Sequence, residues 1–138
     1  MIAHYVTMVR PTQWLKNLML FFPPFLAGHV LQSGLLIQGF VPFVSFCLVS
    51  SAGYIFNDLL DQEQDRRHPR KQLRPIAAGH ISTSVAGILA SGLLISALAW
   101  ANVTHPELLP FLLSYIVVTL CYSLWLKNIP VVDLFCIS

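Results

Sequence analysis

Residues 40–79 read FVPFVSFCLVSSAGYIFNDLLDQEQDRRHPRKQLRPIAAG. From Phe40 to Asn57 no side chain is charged, and then Asp58, Asp61, Glu63 and Asp65 stand against Arg66, Arg67, Arg70, Lys71 and Arg74. An apolar run of this length that ends abruptly in dense charge is the pattern of a transmembrane helix meeting water. The whole chain holds only 8 Lys and Arg and 6 Asp and Glu, so this one stretch carries most of its charge. A membrane protein that gathers charge in this way is predicted to handle a metal and phosphates.

Working outward, the composition excludes an ordinary soluble domain. The 138 residues are 56% hydrophobic and 10% charged, where soluble chains run near about a quarter charged. The expected fold class is all-α: a single membrane domain over residues 1–138, a polytopic helix bundle of four spans plus the start of a fifth. Cys47, Cys121 and Cys136 are odd in number and sit in apolar runs, so they read as small buried hydrophobes, not a disulfide framework. Met1 to Val9 lacks the basic start and small-residue cleavage site of a signal peptide. No nucleic-acid partner is expected.

Residues 1–17 are predicted to form an interfacial helix, with Ile2, Tyr5, Val6 and Val9 apolar at helical spacing and Trp14 as anchor. Pro11 restarts the chain at the first turn of span one. That span is placed at about residues 17–37, with Pro23 and Pro24 kinking or breaking it. Span two covers about residues 40–60, its Ser50-Ser51-Ala52-Gly53 run suited to close helix contact. Span three covers about residues 84–101, with Ser82 and Thr83 as candidate N-caps, and span four about residues 108–126. A fifth apolar run begins at Val131 and reaches Ser138, where the sequence ends.

Every Lys and Arg lies in the N-terminal segment, in the loop after span two, or just after span four. The positive-inside rule then puts the N-terminus in the cytoplasm, together with a catalytic loop over residues 61–82. An integral protein of a bacterial plasma membrane is the expected location.

At about 100° per residue, a helix continuing through residue 65 would set Asp58, Asp61 and Asp65 within about 60° of one another, with Glu63 opposite. Three carboxylates on one stripe repel and need an offsetting charge. A hard divalent cation supplies it, and Mg²⁺ characteristically takes one or two carboxylates and leaves places for water and phosphate oxygens. Asn57 is placed to orient a ligand. The arginines beyond offer phosphate-binding cations. A solvated helix end with a topology signal is the plainer reading; it accounts for Arg66 and Arg67, which are left out of the site. His68 reads as a loop residue, and no metal spacing joins the other histidines.

These residues also resemble a known family. N-D-x-x-D-x-x-x-D (Asn57, Asp58, Asp61, Asp65) is similar to the first acidic motif of the UbiA superfamily of intramembrane prenyltransferases, and R-P-I-A-A-G (Arg74 to Gly79) resembles a second stretch of it. Further likeness lies in R-P-x-Q-W-x-K-N (Arg10 to Asn17), D-R-x-H-P-x-K (Asp65 to Lys71) and Y-x-x-x-L-K ending at Lys127. The details look most like members that transfer a phosphoribosyl group to a polyprenyl phosphate. The resemblance implies that Asp58, Asp61 and Asp65 bind Mg²⁺ with a pyrophosphate-bearing donor. It implies that Lys71 and Arg74 contact phosphates, and that Arg10, Lys16 and Asn17 flank the same cavity. Tyr122 and Lys127 are weaker candidates, since an aromatic belt and a positive-inside anchor explain them equally well.

The superfamily pattern has about nine spans and a second acidic motif facing the first. Only the N-terminal half of such a fold is present here, which implies a fragment or a truncated protein. The favoured reaction is phosphoribosyl transfer from phosphoribosyl pyrophosphate to a polyprenyl lipid phosphate. Prenyl transfer from a polyprenyl diphosphate to an aromatic acceptor is the first alternative, and a non-catalytic truncated membrane protein the second. A transporter would need polar residues in mid-span, and few are found.

Overall fold

The computed structural model describes residues 2–26 and 34–125. Helix α1 spans Ile2–Val9, and a 3-10 helix follows over Pro11–Phe21, leading directly into α2, Phe22–Leu26. Helix α3 spans Leu35–Leu60, α4 Gln62–Arg67, α5 Thr83–Thr104 and α6 Leu109–Leu124, with short 3-10 turns at Lys71–Leu73 and Pro106–Leu108. Three of these stretches are long and apolar enough to cross a membrane: Gln38–Leu60, Thr83–Thr104 and Pro106–Leu124. They correspond to the second, third and fourth predicted spans. The protein is an integral membrane helix bundle.

The first predicted span differs. The described part of it is 3-10 helix as far as Phe21, and Pro23 and Pro24 occupy the opening turn of α2. A proline is best tolerated in the first turn, where its missing N–H has no intrahelical partner to lose. The predicted interfacial helix is likewise shorter than residues 1–17, because Arg10 turns the chain and Pro11 starts the next element. The fifth apolar run lies outside the described residues.

Helix α3 is the central element, about 39 Å long at 1.5 Å per residue. Against it pack α5, α6, α1 and the 3-10 helix. Small side chains make the contact with α5 possible: Ala86, Ala90, Ala97 and Ala101 are the buried residues of α5, while its Ile88, Ile95 and Val103 face outward. Large apolar groups outside and small ones inside invert the soluble arrangement, and suit a surrounding of lipid or further helices. One buried cluster joins Met8 of α1, Ile55 of α3, Ile76 and Ile81 of the connecting loop, and Ala86 and Ala90 of α5. A second joins Val49, Ala97, Ala101 and Leu112. Ser82 caps α5, its hydroxyl accepting from the Val85 N–H at 3.3 Å.

At the other end of α3 the 3-10 helix lies so near that a Cβ on Gly39 would strike the Phe21 ring. Gly39→Val is therefore expected to push that ring aside and cost about 1–3 kcal/mol, typical of overpacking. Thermal unfolding in detergent should register the loss; an unchanged midpoint would mean that this approach is not tight.

Candidate functional site

The site forms where α3 ends. The Asp61 N–H still donates to the Asn57 carbonyl (3.0 Å) and the Asp65 N–H to the Asp61 carbonyl (2.8 Å), so helical bonding persists across the joint. Asp61 itself takes φ −91° and ψ 4°, however, and separates α3 from α4. Asp58 and Asp65 turn inward and are almost wholly buried, at 3% and 1% exposure, while Asp61 is half-buried.

Two arginines, distant in sequence, meet these carboxylates. Arg10 Nη2 donates to both Asp58 oxygens, at 2.6 and 2.9 Å. Arg74 Nη1 donates to Asp58 Oδ1 at 3.1 Å and to Asp65 Oδ2 at 2.6 Å, bridging the pair. Arg10 also lies over the Tyr54 ring, 5.0 Å from its centroid, a favourable place for a guanidinium. Burial of the two carboxylates is thus offset by hydrogen-bonded cations, the condition under which buried charge persists.

The R-P-I-A-A-G stretch delivers Arg74. Pro75, Ile76 and Ala77 are buried, Ile76 in one cluster with Met8 of α1, and Gly79 at φ +76° makes the turn that sends the chain into α5. The His80 and Ile81 N–H groups return to the Pro75 carbonyl at 2.9 and 3.2 Å. His4 of α1 stacks on His80 with ring centroids 4.3 Å apart. The loop is therefore a fitted piece whose first side chain is aimed at the aspartates.

Beside the ion pairs lies a cavity of about 610 Å³, lined by Lys16, Ser50, Tyr54, Asn57, Tyr115 and Tyr122 among others. A smaller one of about 320 Å³ is walled by apolar residues of α3, α5 and α6, and the two share Gly53, Tyr115 and Thr119. Tyr54 links cavity and cluster, since it lines the first and supports Arg10.

The predicted residues therefore divide. Arg10, Asp58, Asp65 and Arg74 converge, and Lys16, Asn57 and Tyr122 line the adjoining cavity. Asn17 is held elsewhere: its Nδ2 donates to Cys47 Sγ at 3.3 Å, and Cys47 lies about 16 Å down α3 from Asp58. Lys71 is exposed in its 3-10 turn, and its backbone N–H donates to His68 Nδ1 at 3.3 Å. Lys127 lies outside the described residues. Tyr54 was detectable from sequence, one helical turn before Asp58; Ser50 and Tyr115 carried no signal.

Among the described residues no group of three or more His, Cys, Asp or Glu side chains stands close enough to hold an ion. Guanidinium groups face the two buried carboxylates where the sequence reading set a cation. The donor chemistry still fits a hard divalent ion in one form, with two carboxylates and the remaining positions filled by water and phosphate oxygens.

Fold and site together define an intramembrane protein that presents paired carboxylates and arginines, beside a cavity, at the end of a spanning helix. The chain belongs to the UbiA prenyltransferase family, whose profile matches residues 21–138. It is 36% identical over 142 residues to decaprenyl-phosphate phosphoribosyltransferase of Mycobacterium tuberculosis, covering 100% of this chain and 47% of that protein. To the protein of the same name from Corynebacterium glutamicum it is 34% identical, covering 94% of this chain and 40% of the relative. To digeranylgeranylglyceryl phosphate synthase of Methanoculleus marisnigri it is 31% identical, covering 77% and 38%. The chain spans about half the length of the curated relatives it matches.

Proposed function

We propose that this chain forms the donor-binding half of a transferase that moves a phosphoribosyl group from phosphoribosyl pyrophosphate to a polyprenyl phosphate. The observation that carries the reading is the buried Arg10–Asp58–Arg74–Asp65 cluster, joined through Tyr54 to the cavity that Lys16 and Asn57 line. The likeness to relatives named for that activity supports the choice of donor.

In this reaction a phosphate oxygen of the lipid attacks the ribose C1, the bond from C1 to the pyrophosphate oxygen breaks, and pyrophosphate leaves. Asp58 and Asp65, with Asp61 near them, would hold Mg²⁺ together with the donor's phosphate oxygens. Bound there, the ion supplies charge neutralisation for the departing pyrophosphate. Arg10 and Arg74 share that load from fixed positions, where a preorganised donor is most effective. Arg74, at 25% exposure, can reach outward to a phosphate. Lys16 and Asn57 face the cavity and would bind the rest of the donor. The smaller apolar cavity suits the lipid chain. The charged end of α3 faces the cytoplasm of a bacterial cell in this reading, where a soluble donor is available.

A second reading is prenyl transfer from a polyprenyl diphosphate, to an aromatic or another acceptor. The likeness to digeranylgeranylglyceryl phosphate synthase favours it, and the same arginines would serve the same leaving group. Supplying the complete protein with labelled phosphoribosyl pyrophosphate or with a prenyl diphosphate separates the two. Labelled lipid phosphate formed from the first donor alone is the expected result; product from prenyl diphosphate alone would reverse the choice.

A further inference from the structure

Among the described residues Arg10 alone has a positive φ without being glycine, at φ 54° and ψ 58°. A left-handed backbone costs an L-residue about 1–2 kcal/mol, and such strain persists only where the surroundings over-determine it. The corner is held from both sides by one atom of α3. The Ser51 hydroxyl donates to the Val9 carbonyl at 2.8 Å and accepts from Trp14 Nε1 at 2.9 Å. It is fully buried, and both its hydrogen-bonding roles are used. Val9 precedes the corner and Trp14 follows it, so indole, hydroxyl and carbonyl form a chain across the base of the turn. Ser51 lies two turns before Asp58 on nearly the same edge of α3, about 10 Å away along the axis. The corner is thus pinned at a set height beneath the carboxylate that Arg10 grips.

We infer that Ser51 and Trp14 are positioning residues, whose hydrogen-bond chain fixes the left-handed corner at Arg10 and thereby aims its guanidinium at Asp58 and at an incoming pyrophosphate. The inference rests on the transferase reading and adds to it a pair of residues that touch no substrate. A small residue at position 51 also serves helix contact, so Ser51→Ala is the informative change: it keeps the size and removes both bonds. Trp14→Phe removes the indole donor alone.

Binding of inorganic pyrophosphate to the complete protein, followed by calorimetry in the presence of Mg²⁺, requires no turnover. Trp14→Phe is expected to weaken it about tenfold, one net hydrogen bond's worth, and Ser51→Ala, which removes two bonds, by more. On an Arg10→Ala background neither should weaken it further, because the guanidinium they aim is gone. Amide exchange at residues 9–14 should rise in both single variants while exchange in α5 stays unchanged. Unaltered affinity in both variants, or losses that multiply with Arg10→Ala, would overturn the positioning role and leave the transferase reading standing. A wild-type protein that bound no pyrophosphate would overturn both.

Discussion

Arg74→Ala is expected to destabilise the protein by about 3–5 kcal/mol, the loss typical of removing one partner from a buried ion pair. Asp65 is 1% exposed, and Arg74 Nη1 is 2.6 Å from its Oδ2. Asp58 keeps Arg10 after the substitution; Asp65 has no second ion pair among the described residues. A buried carboxylate without its cation then favours opening of the α3–α4 joint. Thermal unfolding in detergent reads the loss. Arg74→Lys should recover only part of it, because a compact, strongly hydrated ammonium replaces the weakly hydrated guanidinium whose Nη1 serves both carboxylates. Adding Asp65→Asn to Arg74→Ala should restore most of the stability, since no charge is left stranded, while turnover stays low. A double variant as unstable as the single one would show that the guanidinium acts through packing and not through charge.

The second large effect is on catalysis. In a complete enzyme Asp58→Asn and Asp61→Asn are each expected to abolish divalent-dependent turnover while expression persists. The loss is put at about three orders of magnitude, at the upper end for one group that stabilises developing charge. For Asp58 the geometry adds a reason: the neutral amide cannot accept twice from Arg10 and once from Arg74 as the carboxylate does. Arg10 would lose its fixed aim, while Arg74 would keep only Asp65. For Asp61 the expectation rests on its place between the other two aspartates. Initial rates against Mg²⁺ concentration check both, and near-normal turnover in either variant would refute its metal role.

The spans from α3 onward were legible because apolar length is read directly from composition. The N-terminal part was not. The 3-10 helix over Pro11–Phe21 mixes Thr12, Gln13, Lys16 and Asn17 with apolar residues, and nothing in that mixture tells its winding from that of an α-helix. The inward turn of Asp58 and Asp65 follows from a rotation of about 100° per residue, and both are buried. Asp61 sits at the joint between α3 and α4, where its dihedrals depart from the helix, and it is half-buried. The charge balance of the site was read as a cation alone, because Arg10 lies 48 residues before Asp58 and no local pattern couples them. Asn17 was grouped with Arg10 and Lys16 by its motif. The 3-10 rise carries it down α3 toward Cys47, away from the aspartates. Tyr115 reaches the cavity only through the packing of α6 on α3, which no sequence signal announces.

The most direct measurement is a structure of the complete protein with Mg²⁺ and phosphoribosyl pyrophosphate bound. The pyrophosphate is predicted to lie within hydrogen-bonding reach of Arg10 and Arg74, with the metal on Asp58 and Asp65 and the ribose extending toward Asn57 and Lys16. Pyrophosphate bound elsewhere, with the arginines still locked to their aspartates, would contradict the assignment of this cluster as the donor site.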